Sequence, residues 1–389
     1  MTMVPTRWPR QILFGDVDAM FASAAIVKDP SLAGKPIAVG GPPPRGIIAA
    51  ASYLVRQFGI HSAMPTAKAL QLCPQLILLP PDRPLYRQLH DAMRAVTDRL
   101  FPLTEWSSID EFYADTTQLQ ACHPDPLVLG KLVKDSLHEA TGLRCTIAIA
   151  TGKTVAKIAA DSHKPDGLAM VLPGTEAAFL APRPLRALPG IGPKTAERLA
   201  PLGIKTLGEL SDPRWEQSLR RIFGTRLHWV RELAQGIDHE PVTADRESKS
   251  LSHETTFDHD THDRQFLEQT MRRFLRELAR DLRQDRLAAG SCTVKLKTSQ
   301  FVIATKQQRF AHPLNYDPDM WPTVQQSLQT LMRPDTDYRL AGLTLSSLTQ
   351  APTGLFDQRR TKAIEAMDAL TAKHGPSVIG LGGVTPSDE

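Results

Sequence analysis

Two groups of carboxylates in this sequence stand where apolar runs end or begin. Asp16 and Asp18 follow the apolar run 12–14, and Asp110 and Glu111 open a second one. Neighbouring residues on a strand point to opposite faces, so two adjacent acids reach one point only at a strand end or a bend. Acids at two strand tips form an oxygen cage suited to magnesium, which takes one or two protein carboxylates plus phosphate oxygens.

The pattern is consistent with two-metal phosphoryl transfer with Asp16, Asp110 and Glu111 as ligands. One magnesium ion would activate a hydroxyl nucleophile, and the other would stabilise a leaving pyrophosphate. Either group taken alone, however, is more typical of helix caps or solvated loop acids.

Three further residues have the chemistry of phosphate ligands. Tyr53 and Arg56 lie three residues apart and share a face if the segment is helical. The guanidinium would donate charge-assisted hydrogen bonds to a phosphate, and the phenol a neutral one. A plain amphipathic helix with a surface arginine is the alternative. Lys164, which precedes a Pro-Asp-Gly turn, fits a phosphate ligand and a turn lysine equally well.

A glycine-rich turn at 189–196 matches a helix-hairpin-helix motif. Gly190 and Gly192 would let the backbone approach a phosphate closely, and the helix that begins near Lys194 would offer free N–H groups to the anion. Such a contact grips the DNA backbone without reading its sequence. The alternative is a helix-helix turn that binds no ligand.

Residues 286–316 contain five basic residues and no acidic one. Lys295 and Lys297 alternate on one face of a predicted strand, and Lys306 and Arg309 follow on the next element. A one-sided basic sheet would track a DNA backbone. An ordinary solvated face explains the same pattern equally well.

The elements that must position these groups fall into two mixed parts with a helical part between them. Strand and helix patterns alternate through about residue 172, which predicts an α+β domain. Its predicted strands are 12–14, 36–39, 47–51, 76–79, 111–115, 146–150 and 168–172. Its predicted helices are 20–27, 53–58, 66–73, 86–100, 126–141 and 154–161.

The composition changes after residue 172. Residues 182–238 are predicted to be all helical, and the polar stretch 238–250 is a linker candidate. A second small α+β domain follows, with predicted helices 264–287 and 321–332 and predicted strands 294–298, 302–305 and 339–346. A tail, 351–389, carries one predicted helix at 360–373.

Length and composition set broader limits. A chain of 389 residues is expected to divide into two to four domains. Its net charge of +4 does not by itself indicate a nucleic-acid partner. The four cysteines form neither a CxxC pair nor a disulfide framework, which predicts a reducing compartment. With no signal-peptide core and no apolar run of membrane-spanning length, we expect a soluble cytoplasmic protein without a membrane partner.

Taken together and in this order, the motifs resemble those of the Y-family translesion DNA polymerases, in the DNA polymerase IV (DinB) branch. The most specific segments are 15–23, 51–59, 62–65, 108–111, 156–167 and 249–257, within a resemblance that covers roughly 11–350. The resemblance implies an α+β multidomain fold, a right hand with palm, fingers, a helical helix-hairpin-helix thumb and a C-terminal α+β little finger. The implied bounds are palm 1–19 and 80–172, fingers 20–79, thumb 173–238, linker 239–249, little finger 250–350 and tail 351–389.

The resemblance also assigns roles. Asp16, Asp110 and Glu111 become the ligands of two magnesium ions, with the Val17 carbonyl on the second. Tyr53, Arg56 and Lys164 contact the incoming triphosphate, and Phe21 is the steric gate that clashes with a ribose 2′-OH. Asp18 matches an acid that supports the site. The small residues 49–51 form a shallow roof over the nascent base pair, which fits lesion bypass and low fidelity.

The implied activity is template-directed transfer of a dNTP to a primer 3′-OH with release of pyrophosphate, by a monomer bound to primer-template DNA. Leu355 and Phe356 are either a degenerate sliding-clamp peptide or plain linker. Met20, Ala25 and Gly152 depart from the family pattern, Gly152 at a usual Asn position, and none of them removes a metal ligand. The alternatives are a non-catalytic Y-family-like DNA-binding accessory protein, which would lack the carboxylates, and an unrelated helix-hairpin-helix protein or nuclease.

Overall fold

The computed structural model describes residues 8–244 and 248–351, together with the single positions 366, 370 and 373. The chain divides into two compact units, Met1–Arg246 and Glu247–Glu389. Within the described residues, no helix has the length and apolar character needed to cross a membrane.

The first unit contains eight strands and ten helices in its described residues. In chain order these are β1 (Ile12–Val17), α1 (Met20–Lys28), β2 (Ile37–Gly40), β3 (Ile48–Ala51), α2 (Tyr53–Arg56), α3 (Thr66–Leu72), β4 (Ile77–Leu79), α4 (Arg83–Leu100), β5 (Thr104–Trp106), β6 (Glu111–Asp115), α5 (Pro126–Thr141), β7 (Cys145–Ala150), α6 (Lys153–Asp161), β8 (Leu168–Met170), α7 (Glu176–Leu180), α8 (Pro193–Leu199), α9 (Glu216–Phe223) and α10 (Leu227–Ala234).

A five-stranded sheet with the order β5-β6-β1-β7-β8 forms the centre of this unit. Its strands are antiparallel except for the parallel pair β7 and β8. All six residues of β1 are buried because both faces of the sheet are covered. Leu13 and Val17 pack into the core shared with α4 and α5, whereas Ile12 and Phe14 pack into the core shared with α6 and the later helices. By the same alternation, Asp16 belongs to the α6 face.

Gly15 is required by this packing. The aromatic ring of Phe112 fills the space that a side chain at position 15 would need, and Ile147 Cδ1 lies 2.9 Å from the position of its Cβ. The glycine therefore lets β6 and β7 close tightly on β1, next to the first acid.

Two smaller parts complete the first unit. A three-stranded sheet, β3-β2-β4, packs with α2 and α3 around Ile48, Val55 and Ile60. The predicted helical segment 182–238 holds only short helices, α8 to α10, separated by 3₁₀ turns. Their buried residues, such as Leu199 and Leu219, join the core on the α6 face of the large sheet.

The second unit is a four-stranded antiparallel sheet with two helices. Its elements are β9 (Ser250–Thr261), α11 (Arg264–Gln284), β10 (Leu287–Thr298), β11 (Ile303–Leu314), α12 (Asp317–Leu331) and β12 (Tyr338–Gln350). The strand order is β11-β10-β12-β9. Both helices pack on one face around residues such as Leu275, Val294 and Leu343.

Several bounds differ from those predicted. The strand predicted at 294–298 begins at Leu287, and the one predicted at 302–305 runs to Leu314, because these long strands carry polar residues that hide the period. The helix predicted to end at 287 ends at Gln284, since Arg286 adopts a left-handed conformation with φ 56°. The helix predicted from 321 begins at Asp317, where acids and a proline occupy its first turn.

Strand β5 was not predicted and has only three residues. The predicted tail helix at 360–373 lies outside the described residues except for positions 366, 370 and 373. Leu355 and Phe356 also lie outside them.

Candidate active site

The two predicted acid groups meet at one edge of the large sheet. Asp16 on β1 and Glu111 on β6 are direct cross-strand partners, so both side chains lie on the α6 face. Asp16 is only 4% exposed. Two carboxylates in register repel each other, and the arrangement therefore needs positive charge nearby.

Asp110 reaches the same place from the bend that precedes β6. The backbone N–H of Val17 donates to the carbonyl oxygen of Asp110 over 3.0 Å, which ties this bend to the end of β1. The Ser108 hydroxyl donates to Asp110 Oδ1 at 2.5 Å and accepts from the Glu111 N–H at 3.1 Å. Adjacent acids at a bend thus converge, which is the geometry that the sequence argument required.

Two lysines supply the positive charge. Lys164 Nζ forms an ion pair with Asp16 Oδ2, and Lys157 Nζ lies 2.6 Å from Glu111 Oε1. Lys157 also sits 4.8 Å above the centroid of the Phe14 ring. In the described part of the chain, no three His, Cys, Asp or Glu side chains are already arranged around a metal position.

The electrostatics of these groups differ. Burial raises the pKa of Asp16 to about 7; Lys164 opposes this rise, and the charges of Glu111 and Asp110 add to it. Burial also acts to raise the pKa of Glu111, but the hydrogen bond and charge of Lys157 outweigh it, so that pKa is lowered.

Asp18 does not join this cluster, and instead holds four segments together. Its Oδ1 accepts from the Tyr53 hydroxyl at 3.1 Å and from Thr146 Oγ1 at 3.0 Å. Its Oδ2 accepts from the Asp166 N–H at 2.7 Å. The carboxylate thereby fixes α2, β7 and the loop that carries Lys164 relative to β1. Burial, then the Asp18 charge, raises the pKa of Tyr53 to about 12.

One cleft of about 190 Å³ gathers every residue predicted for the metal, triphosphate and gate positions. Its lining includes Asp16, Val17, Phe21, Tyr53, Arg56, Asp110, Glu111 and Lys164, together with Ala19, Met20, Ala49, Ala50 and Ser62. These residues come from five separated stretches of sequence, so the fold and not the local sequence assembles the cleft.

Two aromatic contacts set the walls of the cleft. The Phe21 ring stacks on Tyr86 of α4 with centroids 4.2 Å apart and an interplanar angle of 20°. The Arg56 guanidinium lies 4.2 Å from the centroid of the Tyr53 ring, and its Nε donates to the Ala51 carbonyl at 3.1 Å. The predicted gate residue Phe21 and the predicted triphosphate ligands Tyr53 and Arg56 are thus held in place without a bound ligand.

The predicted helix-hairpin-helix turn precedes α8. Gly190 has φ 93°, a conformation that favours glycine, and Gly192 is the N-cap residue of α8. A Cβ on Gly192 would meet no atom within 4 Å. Internal packing therefore does not require a glycine at this position, which leaves the backbone open to an approaching group. Lys194 is exposed on the first turn of α8.

The basic residues of the second unit do not all share one face, which corrects the one-sided sheet predicted above. Lys295 pairs in register with Thr305, and Arg309 with Ser291, so both lie on the face away from the helices together with Lys297. Lys306 instead pairs with Val294, whose side chain is buried against the helices. Positions 306 and 309 differ by an odd number, so on one strand they point to opposite faces. Lys295 also forms an ion pair with Glu254 at 2.7 Å.

Sequence reasoning gave no role to Lys157 and Ser108, although both lie in segments that carry the family resemblance. Lys157 lies on α6 and Lys164 in the loop after that helix ends at Asp161, so their spacing in the sequence does not place them together. Serine is common in any bend, so the residue type alone does not indicate the hydrogen bonds of Ser108 to Asp110 and Glu111.

Comparison with known families places these features in context. Sequence models of the impB/mucB/samB family match residues 15–161, those of its C-terminal domain match 248–357, and those of the IMS family HHH motif match 173–204. The last match covers the predicted helix-hairpin-helix turn.

Curated relatives extend over most of the chain. DNA polymerase IV of Methanoculleus marisnigri is 38% identical over 352 residues, which cover 88% of this chain and 96% of the relative. DNA polymerase IV of Halorhodospira halophila is 36% identical over 345 residues, which cover 87% and 95%.

Solved structures show the same architecture. The Y-family DNA polymerase chimera Dbh-Dpo4(243-245)-Dbh superposes with a TM-score of 0.79 at 26% identity and covers 87% of this chain and 98% of its own. DinB from Sulfolobus solfataricus gives a TM-score of 0.61 at 26% identity, with 88% and 100% covered.

Proposed function

We propose a reaction for this cleft from the premise that the chain belongs to the impB/mucB/samB family, the Y-family DNA polymerases of the polymerase IV type. The chain has the palm, fingers, thumb and little finger of that family. Its activity is template-directed, translesion DNA synthesis, in which a dNTP is joined to a primer 3′-OH. The observation that carries this proposal is the convergence of the acids, the triphosphate ligands and the gate residue in one cleft.

The cleft fits divalent cations. Its acids offer only oxygen donors, which magnesium prefers, and Asp16 and Glu111 stand in register on adjacent strands, where each is now neutralised by a lysine that a metal ion would replace. We propose that Asp16, Asp110, Glu111 and the Val17 carbonyl hold two magnesium ions. Such ions, when bound, lower the pKa of the attacking hydroxyl and neutralise the charge that develops on the leaving pyrophosphate.

The triphosphate would lie against Tyr53, Arg56 and Lys164. Arg56 and Tyr53 are fixed by their mutual contact and by Ala51 and Asp18, so little side-chain freedom is lost when they bind. Lys164 already neutralises Asp16 and lies in the same cleft, so it reaches a phosphate by a change of side-chain rotamer.

Phe21 would select deoxyribose. Its ring is held by the stack on Tyr86 and cannot easily retreat from an added hydroxyl group. A ribose 2′-OH in contact with that ring would therefore be rejected by steric overlap.

DNA would be held by both units. In the first unit, Gly190, Gly192 and Lys194 offer a backbone turn and a cation to a phosphate. In the second, Lys295, Lys297 and Arg309 share the open face of the sheet. Lys306 projects to the face that carries the helices. Because β11 is an edge strand, Lys306 would contact DNA only if the DNA passed along that edge of the sheet.

The bounds of the subdomains given from the sequence stay a proposal, supported by the division of the chain between Arg246 and Glu247. The monomeric state and clamp binding through Leu355 and Phe356 also stay proposals, and both of these residues lie outside the described ranges.

The test is primer extension with magnesium and dNTPs. We expect the wild type to extend a primer and the double variant Asp110→Asn, Glu111→Gln to extend it less by about a thousandfold or more, since the metal ligands are lost. Asp115→Asn on the same strand is the matched control and should keep full activity. Wild-type protein that binds primer-template DNA without extending it would point to the non-catalytic alternative.

A further inference from the structure

Helix α6 lacks a cap of its own. Its N-cap residue is Gly152, which has no side chain to offer the first N–H groups. Asp238, which follows α10, supplies the missing acceptor: its Oδ2 accepts from the backbone N–H and from the hydroxyl of Thr154, both at 2.8 Å. Gly152 leaves room for this contact, because a Cβ there would lie 2.9 Å from the Asp238 Cβ.

A buried ion pair fastens the same helix a second time. Lys153 and Glu105 are 6% and 2% exposed, and Lys153 Nζ lies 2.5 Å from Glu105 Oε2. The same oxygen accepts from the Thr243 N–H at 2.9 Å. A buried pair of this kind holds its geometry firmly, because separating the charges leaves each without a partner.

Residues 238–243, here termed the strap, are therefore fixed at several points. Arg10 Nη1 donates to the Asp238 carbonyl at 2.6 Å and Nη2 donates to that of Glu240. Val242 is buried in the core on the α6 face of the large sheet. The strap thus joins the segment before β1, the strand β5 and the first turn of α6.

The middle of α6 and the loop after it contact the acids of the cleft. Lys157 stands one turn after Lys153 and pairs with Glu111, and the loop after the helix brings Lys164 to Asp16. Three lysine–carboxylate pairs follow one another along α6 and its loop, and only the first touches the strap. A rotation or fraying of the first turn would displace Lys157, which lies one turn away.

We propose that the strap is a positioning element for α6, and that Asp238 is the positioning residue through which a distant segment sets Lys157 against Glu111 and Lys164 in the cleft. Asp238 does not line the cleft itself. Its influence on nucleotide binding rests on the function proposed above, whereas its influence on α6 does not.

The first test measures amide hydrogen exchange of the full-length chain without substrate. Asp238→Ala should speed exchange in peptides that cover 153–167 by about fivefold, the effect of losing one helix cap, while β7 stays protected. Asp238→Asn keeps one acceptor oxygen for the Thr154 N–H, but its amide NH2 then faces the Glu240 N–H that Asp238 Oδ1 accepts at 3.0 Å, so it should restore slow exchange in part. Asp212→Ala is the matched control, because Asp212 caps a 3₁₀ turn by accepting from the Arg214 N–H at 2.9 Å and has no contact with α6. Unchanged exchange of 153–167 in Asp238→Ala would overturn the proposal.

The second test measures single-nucleotide insertion well below the melting temperature. Asp238→Ala should raise the KM for dNTP by about threefold or more through the displaced Lys164, with Asp238→Asn between it and the wild type and Asp212→Ala unchanged. Faster exchange with an unaltered KM would reduce the strap to a merely structural role and refute the positioning claim. If the wild type does not polymerise at all, the proposed function fails, and the exchange result still decides the coupling of strap and helix.

Discussion

Asp18 accepts hydrogen bonds from three separate segments, and replacing it should loosen all of them. The donors are the Tyr53 hydroxyl at 3.1 Å, Thr146 Oγ1 at 3.0 Å and the Asp166 N–H at 2.7 Å. In Asp18→Asn the side chain keeps its size but has a single acceptor oxygen. That oxygen must face Asp166, because the backbone N–H there cannot turn away. The new amide group then faces Tyr53 and Thr146, whose hydroxyls can rotate to accept.

The cost follows from this geometry. Asp18→Asn keeps three contacts but loses their charge, which should lower the free energy of unfolding by about 1.5–3 kcal/mol. Asp18→Ala leaves three donors without an acceptor, at about 1–3 kcal/mol each, so its cost should be on the order of 4 kcal/mol or more. Tyr53→Phe removes the least constrained donor and should cost about 1 kcal/mol.

Hydrogen exchange across a urea series, read in peptides that cover β1 and β7, measures the stability of this unit separately from the other. Asp115→Asn is the matched control, since Asp115 accepts only the Thr117 N–H at 2.9 Å at the far end of β6. The double variant Asp18→Asn, Tyr53→Phe should cost less than the sum of the two single changes, because they share one contact. A loss below about 0.5 kcal/mol in Asp18→Asn would refute the assigned network.

Three further outcomes are expected. Phe21→Ala should lower discrimination against ribonucleotides by about 10- to 200-fold in kcat/KM for rNTP against dNTP, and an unchanged ratio would reject the gate. Lys157→Met removes a cation that competes for Glu111, so the magnesium concentration for half-maximal activity should fall by about two- to fivefold; a rise would contradict this role. The Cβ added by Gly192→Ala would have no atom within 4 Å. The variant should leave thermal unfolding unchanged yet weaken duplex DNA binding about threefold or more, and equal binding would exclude this turn as a phosphate contact.

The acids were predictable because their position is a matter of local pattern. Asp16 and Glu111 each follow or begin a strand whose apolar residues mark it clearly, so the sequence shows that both stand at strand ends. Their direct pairing depends on the register of β1 and β6, which Gly15 and Phe112 set by contact. Register is a tertiary property, and no single strand carries it.

The positions of Lys306 and Asp238 could not be predicted from the local sequence pattern. Lys306 was grouped with Arg309 because both are basic, and only the pairing of β11 with β10 shows that their faces differ. Asp238 lay in a stretch read as linker, since its contact with Thr154 spans 84 residues and leaves no local trace. Long-range capping of this kind is set by folding and not by neighbours in sequence.

Charge balance links the fold of the first unit to its chemistry. Buried carboxylates on adjacent strands would oppose the closing of the sheet unless cations met them, and α6 with its loop delivers Lys153, Lys157 and Lys164 to Glu105, Glu111 and Asp16 in turn. The first pair is buried and serves the fold, because the strap covers it and neither of its residues lines the cleft. In the other two pairs the acids, Glu111 and Asp16, line the cleft. A metal ion would compete with the lysine for the acid, and a phosphate would compete with the acid for the lysine. The same helix with its loop therefore neutralises two of the acids of the cleft, and the strap proposed as its positioning element would hold it from outside the cleft.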